Sequence, residues 1–335
     1  MALAGYAGIR RAVSWNPLRR FPVLRVIVRR FLVAVPLLFI VSFLSFLLVS
    51  LTPGDAAEQI LGVNKTPETY AQLRRAMGLD EPLYAQYWHW LDRALHGDLG
   101  VAILSGEEVA HAIGVRLPVT LSLILGSLLI TLVVGVSLGV IAAVRGGAIA
   151  RAIDGFTLAG FAMPAFWVAS ILIVLLAVKV QWFPAAGYVP FAQSGGEWLR
   201  SLVLPTIALG LGGIAAVAKQ TREAMSDVLA TEYVRMARAN GVPESRILFR
   251  HGLKNAGVRI TTILGLQTVA LLSGTVVVES VFALPGLGGL VVEASLSHDL
   301  ATVQGVTVYF TVIVVVVNLA IDLAYTMLNP RVRTS

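Results

Sequence analysis

The chain has 335 residues, 57% hydrophobic and 13% charged, with a mean hydropathy of +0.80. Soluble globular chains hold about 45–50% apolar and about 25% charged residues, so a water-soluble domain and a disordered chain are both excluded in favour of a membrane-embedded one. The net charge of +7 comes from 26 Lys/Arg against 19 Asp/Glu. The basic residues sit between apolar blocks, with no basic stripe and no interleaved aromatics, so they indicate a lipid membrane and not nucleic acid. Cysteine is absent, which removes disulfide scaffolds, thiolate metal sites and cysteine nucleophiles.

Residues 1–30 form a basic segment with Arg10, Arg11, Arg19, Arg20, Arg25, Arg29 and Arg30. The apolar run that follows is too long for a signal peptide and lacks a small-residue cleavage site, so it reads as an uncleaved first span. Spans need about 20 apolar residues. Six stretches qualify, at Phe31–Leu51, Leu117–Val144, Ala152–Val178, Ser201–Ala218, Val258–Val281 and Val303–Leu328. Outer-membrane barrels use strands of about 10 residues with alternating polarity, and that pattern does not occur.

Between the first two spans, 52–116 carries two helix signatures. Thr66-Pro67-Glu68 reads as an N-cap with Pro at the first position, and Gly78 as a stop. A second helix runs from near Pro82 to Gly97, with Tyr84, Tyr87, Trp88, Leu91 and Leu95 on one face. That face fits a helix lying at the headgroup level. It is also compatible with a docking surface for an external partner. In the second span, Gly135-x-x-x-Gly139 permits close helix approach. In the third, Pro164 deprives the Gly160 carbonyl of its partner and predicts a kink.

The loop 219–259 is dense in helix formers. Arg222 to Asn240 reads as one helix, ended by Gly241 in the left-handed region. Pro243 opens the next helix at its first position, and Glu244 favours its first turn. In the last span, Asp322 is the clearest intramembrane charge, with Asn318 one turn before it and within reach of a shared hydrogen bond. Glu279 lies near the end of the fifth. Each either pairs with a neighbouring helix or lines a path.

Orientation follows from counting. With the N-terminus cytoplasmic, nineteen Lys/Arg lie inside and only seven outside, namely Lys65, Arg74, Arg75, Arg93, Arg116, Lys179 and Arg200. Asp and Glu run the opposite way, so both termini are expected in the cytoplasm. No phosphate-binding loop, zinc-protease or nucleophile-elbow motif occurs. The five histidines are scattered outside the spans, and Gly286-Leu287-Gly288-Gly289 follows no strand and reads as a turn.

At the inner loop, Glu232-Tyr233-Val234-Arg235-Met236-Ala237-Arg238-Ala239-Asn240-Gly241, with Arg246, Arg250-His251 and Lys254-Asn255-Ala256, resembles the coupling loop of ATP-binding-cassette (ABC) importer permeases. The resemblance is to the dipeptide/oligopeptide/nickel branch, first (B-type) membrane subunit. Further matches are Gly97-Asp98-Leu99-Gly100, Arg116-Leu117-Pro118-Val119-Thr120, Met163-Pro164-Ala165-Phe166-Trp167, Val278-Glu279-Ser280-Val281-Phe282, Pro285-Gly286-Leu287-Gly288 and Asn329-Pro330-Arg331-Val332-Arg333. Together they cover roughly 25–333. Of the general importer motif only Ala237 and Gly241 match, the leading Glu being absent as is common in this branch. Pro243 stands where the branch often has Ser, and Asn329 replaces the usual Asp.

The resemblance implies an all-α integral membrane protein of six transmembrane helices. It has a cytoplasmic coupling helix-turn-helix and an extracytoplasmic helical region between the first two. The importer transmembrane domain covers 31–335. The protein would be half of a translocation path in a bacterial cytoplasmic membrane. Its implied partners are a homologous second permease, two ABC ATPase domains and an extracytoplasmic binding protein. No cofactor belongs to this chain; ATP and magnesium would bind the ATPases. ATPase coupling would fall to Glu232, Ala237, Arg238, Gly241, Glu244, Ser245 and Arg246, and the substrate path to Glu279, Asp322 and Asn318. Peptides are favoured over nickel or another small solute, since no His or Cys lies within the spans. An ion-coupled carrier or channel would need more intramembrane charge. A scaffold or receptor would not need the helix-turn-helix loop.

Overall fold

The computed structural model describes residues 22–51, 56–62, 65–103 and 105–328. Arg10, Arg11, Arg19 and Arg20, and the motif Asn329 to Arg333, lie outside the described residues. Every described element is a helix, apart from one isolated bridge between Val101 and Glu108.

The elements are α1 (Pro22–Ser50), α2 (Ala56–Leu61), α3 (Pro67–Ala76), α4 (Leu83–Leu95), α5 (Val109–Arg145), α6 (Gly147–Ala162) and α7 (Ala165–Leu172). A π-helical segment, Ile173–Lys179, prolongs α7. There follow α8 (Gly195–Leu229), α9 (Glu232–Ala239), α10 (Glu244–Arg246), α11 (Lys254–Val281), α12 (Leu287–Leu296) and α13 (Leu300–Leu328). A second π-helical segment, Ile247–Leu253, joins α10 to α11. Among the described residues, five helices are long and apolar enough to span a membrane, and α6 with α7 makes a sixth if a bend of 107° is counted as one crossing.

The long helices outrun the apolar windows. α1 begins at Pro22 and not Phe31, and α5 at Val109 and not Leu117. Hydropathy marks the stretch that hydrocarbon must cover, whereas the backbone keeps its hydrogen bonds into the polar flanks. The third span departs further. Pro164 does not kink a continuous helix: α6 ends at Ala162, Met163 is extended, and Pro164 caps α7. Pro lacks the N–H for Gly160, and the residue before Pro avoids the α region, so both effects fall on one step.

α8 is the centre of the bundle. Its apolar window is 78% buried, against 17–33% for the other spans. Glycines let α5 lie close along it. Gly126 stands against Thr206, Gly135 against Val217, and Gly139 against the Ala218 carbonyl and Thr221. From α8, Gly210 and Gly213 face Thr131. The contacts advance together, so α5 and α8 are parallel. Gly274 meets Leu209 and Gly252 meets Met225, so α11 runs antiparallel to α8. α13 meets α5 through Gly305 against Val109 and Ile113, and α1 through Thr307 with Ser45 and Asp322 with Arg30. The starts of α1 and α6 and the ends of α5, α8 and α13 therefore share one end of the bundle with α9; α3 and α4 lie at the other.

The two short helices between α1 and α5 form as their signals require. Thr66 and Thr69 make a reciprocal capping box, and Gly78 takes φ +68° after α3. α4 ends before Gly97, which takes φ +90°. The aromatic face of α4 is rotated from the expected one. Tyr87 and Trp90 are buried on α1 with Phe46, and the Tyr87 hydroxyl shares a 2.8 Å hydrogen bond with Ser42. Tyr84, Trp88 and Leu95 remain exposed.

Candidate coupling surface and buried polar groups

The expected helix from Arg222 to Asn240 is two helices. α8 continues to Leu229, then Ala230 and Thr231 break it, and α9 starts at Glu232. Thr231 is extended at the α9 N-cap and donates its hydroxyl to the Val228 carbonyl. A Thr followed by Glu is a helix-start signal that the surrounding helix formers masked.

α9 is short, and tertiary contact holds it. Val234 is fully buried, and α9 packs against α8 and the π-helical segment Ile247–Leu253. The Tyr233 hydroxyl accepts a 3.2 Å hydrogen bond from Asn255, which also donates to the His251 carbonyl. The His251 and Asn255 positions thus seat α9 on the start of α11.

The turn after α9 is a Schellman motif. The Gly241 N–H donates to the Arg238 carbonyl at 3.0 Å, and the Val242 N–H to the Ala237 carbonyl at 3.1 Å. Gly241 takes φ +73°, the left-handed conformation that glycine adopts without penalty. Pro243 is the N-cap of α10, one position earlier than expected, with φ −62° and ψ 139°. The Arg238 guanidinium then bridges the turn, donating to both Glu244 carboxylate oxygens at 2.6 and 3.1 Å. That carboxylate raises the Arg238 pKa above its ordinary value. Both side chains are exposed, so the pair orients the turn more than it stabilises it.

The expected coupling residues therefore share one knuckle. Glu232 opens α9 and pairs with Arg235. Ala237, Arg238 and Gly241 form its end, and Glu244, Ser245 and Arg246 stand exposed beyond the turn. Met236, at 65% exposure, is an apolar group among these charges. An exposed apolar side chain rimmed by charge is the anatomy of an interface core and its rim.

Two ion pairs tie together the helices beside the knuckle. Arg222 of α8 pairs with Asp154 of α6, and Arg259 of α11 pairs with Asp227 of α8. Neither pair was read from the sequence, because partners more than thirty residues apart leave no spacing signal.

The intramembrane groups occupy three separate places. Glu279 is 1% exposed, at the end of α11 remote from α9. Thr120 of α5 donates to its Oε1 at 2.7 Å, and the Gly288 and Gly289 N–H groups donate to its Oε2 at 2.8 and 3.3 Å. The Leu287 N–H in turn donates to Thr120 at 2.8 Å. The expected turn at Gly286–Gly289 thus opens α12, and the carboxylate satisfies its free N–H groups. Asp322 lies at the other end, paired with Arg30 of α1. Asn318 makes no bond to it; its amide donates to the Val314 carbonyl, and its oxygen packs over Gly265. Two glutamines, uncharged and so without an ionisable signal in the sequence, also lie in the long helices. Gln304 is buried and donates to the Ser42 carbonyl. Gln267 lies at the middle of α11.

Residues 135–334 match the binding-protein-dependent transport system inner membrane component, and residues 23–124 its N-terminal membrane part. A peptide transport system permease protein of Brucella abortus (strain 2308) is 42% identical over 308 residues, 92% of this chain and 98% of that protein. A peptide ABC transporter permease protein of Sinorhizobium fredii is 39% identical over 308 residues, 92% and 98%. The glutathione transport system permease protein GsiC of Escherichia coli (strain K12) is 36% identical over 311 residues, 92% and 99%.

Proposed function

The chain belongs to the family of binding-protein-dependent transport system inner membrane components, and from that premise we propose that it carries peptides. It is a permease subunit of an ABC importer, a transport component and not itself an enzyme. Its substrates are short peptides, the class that includes glutathione, as the names of its relatives support. A homologous second permease completes the path. Two ATPase subunits bind ATP and magnesium, and an extracytoplasmic binding protein delivers the peptide.

The knuckle at Gly241 carries this reading. A groove on the ATPase receives Glu232, Ala237, Arg238, Gly241, Glu244, Ser245 and Arg246, around the exposed Met236. ATPase closure displaces α9, and the Arg222–Asp154 and Arg259–Asp227 pairs pass that displacement to α6 and α11. The path then changes the side to which it is open. Glu279 holds α12 against α5 and α11 at one mouth, and the Arg30–Asp322 pair with Asn318 holds α1, α13 and α11 toward the other. Both termini and the knuckle are cytoplasmic, and 52–116 is extracytoplasmic. The Lys/Arg distribution supports this orientation.

Uptake tests the reading. A strain lacking this chain should lose uptake of a radiolabelled tripeptide and regain it when the chain is restored, with nickel uptake unchanged. Loss of nickel uptake with tripeptide uptake intact would overturn the peptide assignment.

A further inference from the structure

A cleft of about 220 Å³ opens where α6 breaks, between α6, α8 and α11. Gly160, Phe161, Met163, Leu211, Gly212 and Gln267 line it. Gln267 stands halfway along α11, with about 20 Å of helix on either side at 1.5 Å per residue. The cleft therefore lies at mid-height of the bundle and not at a mouth.

Its polar groups are of two kinds. Pro164 has no N–H, so the Gly160 carbonyl loses its helical partner, and the break at Met163 ends the ladder for the carbonyls that follow. Across the cleft, the Gln267 side chain has no hydrogen bond to any described residue. An amide without a partner is costly in an apolar setting, and irregular backbone at membrane depth is tolerated where it lines a cavity. None of the lining residues is charged.

Such a set matches one chemical class. A peptide unit offers an N–H donor and a C=O acceptor in fixed relation, without charge. We propose that the cleft is a backbone-reading subsite for one peptide unit of the substrate in transit. The substrate N–H donates to a freed carbonyl of the last turn of α6, and the Gln267 amide donates to the substrate carbonyl. The volume is below the 300–1,000 Å³ of pockets that enclose a drug-sized ligand, so the peptide is held one unit at a time and not engulfed. Side chains are not read. The subsite rests on the peptide-importer reading above.

The test uses the whole complex, with its second permease, ATPases and binding protein, in proteoliposomes. The probes are labelled trialanine and trialanine with both amide carbonyls replaced by thiocarbonyls, which accept hydrogen bonds poorly. The selectivity of the binding protein cancels when variants are compared through the ratio of the two uptakes. Gln267→Leu should lower trialanine uptake about fivefold, the worth of about one hydrogen bond, leave the thioamide peptide near its wild-type rate and keep the second permease bound. Gly212 has open space around it, so Gly212→Leu fits the fold, fills the cleft and should slow both peptides. Equal loss of both peptides in Gln267→Leu, or release of the second permease, would overturn the subsite. So would a wild-type rate for Gly212→Leu. A wild-type complex that takes up neither peptide overturns the peptide reading itself, and is recognised before any substitution is made.

Discussion

Gly139→Ala tests the packing of the bundle. A Cβ added at Gly139 would stand 2.5 Å from the Ala218 carbonyl oxygen and 2.5 Å from the Thr221 Cβ. Ordinary carbon contacts lie at about 3.5–4.0 Å, so α5 and α8 must part locally by about 1 Å. The oxygen is backbone and a β-carbon moves only with its backbone, so no flexible side-chain end can give way. Overpacking of this kind costs up to about 3 kcal/mol. Replacing Gly by Ala in a helix returns about 1 kcal/mol. The net loss is then about 2 kcal/mol, a fall of about 4 °C in melting temperature for a chain of this size. Gly155→Ala is the control, since a Cβ there meets nothing within 4 Å and keeps the helix gain. Thermal unfolding of the purified protein in detergent compares the two. The packing argument fails if Gly139→Ala melts at or above the temperature of Gly155→Ala.

Three further outcomes follow from the buried polar groups and the orientation. Glu279→Gln keeps the shape but offers one acceptor where two oxygens now accept, so it should lower stability by about 1.5–3 kcal/mol, and Glu279→Ala by more, in the same unfolding assay. Asp322→Ala should reduce expression or uptake more than Asp80→Ala, whose carboxylate is 51% exposed, and the exchange of Arg30 and Asp322 should recover most of the loss. In this cysteine-free chain, Ala71→Cys should react with an impermeant thiol reagent added from outside intact cells, and Ser245→Cys only after permeabilisation. The opposite labelling would reverse the orientation.

Features that depend on local chemistry were legible in the sequence. The capping of α3, the stops at Gly78 and Gly97, the close glycines of α5 and the left-handed Gly241 each follow from residue types at fixed spacing. The break in α8 at Ala230 escaped because a run of helix formers continues across it, and Thr231 acts only in competition with that run. The aromatic face of α4 was misplaced by the same limit: periodicity finds a face, but α1 decides that Trp90 and not Trp88 is buried. Pro164 was read for its missing N–H alone, and the effect of a proline on the residue before it turned a kink into a break. Of the candidate site, the knuckle was legible through the resemblance. The pairs of Asp154, Asp227 and Asp322 were not, since each joins helices far apart in the chain.

The central claim is that the knuckle at Gly241 transmits ATPase motion to the path, and one substitution tests it most directly. A Cβ at Gly241 meets nothing within 4 Å, so Gly241→Val clashes with no neighbour and acts only through the left-handed backbone. For a β-branched residue that conformation costs about 1–2 kcal/mol, enough to reshape an exposed turn but not to unfold the spans. Gly78→Val carries the same backbone strain at the other end of the bundle, at φ +68°. The measurement is ATPase co-purification together with substrate uptake per ATP hydrolysed in the reconstituted complex. Gly241→Val should express normally and lose ATPase binding or uptake per ATP, while Gly78→Val retains both. Full co-purification and full uptake per ATP in Gly241→Val would contradict the account.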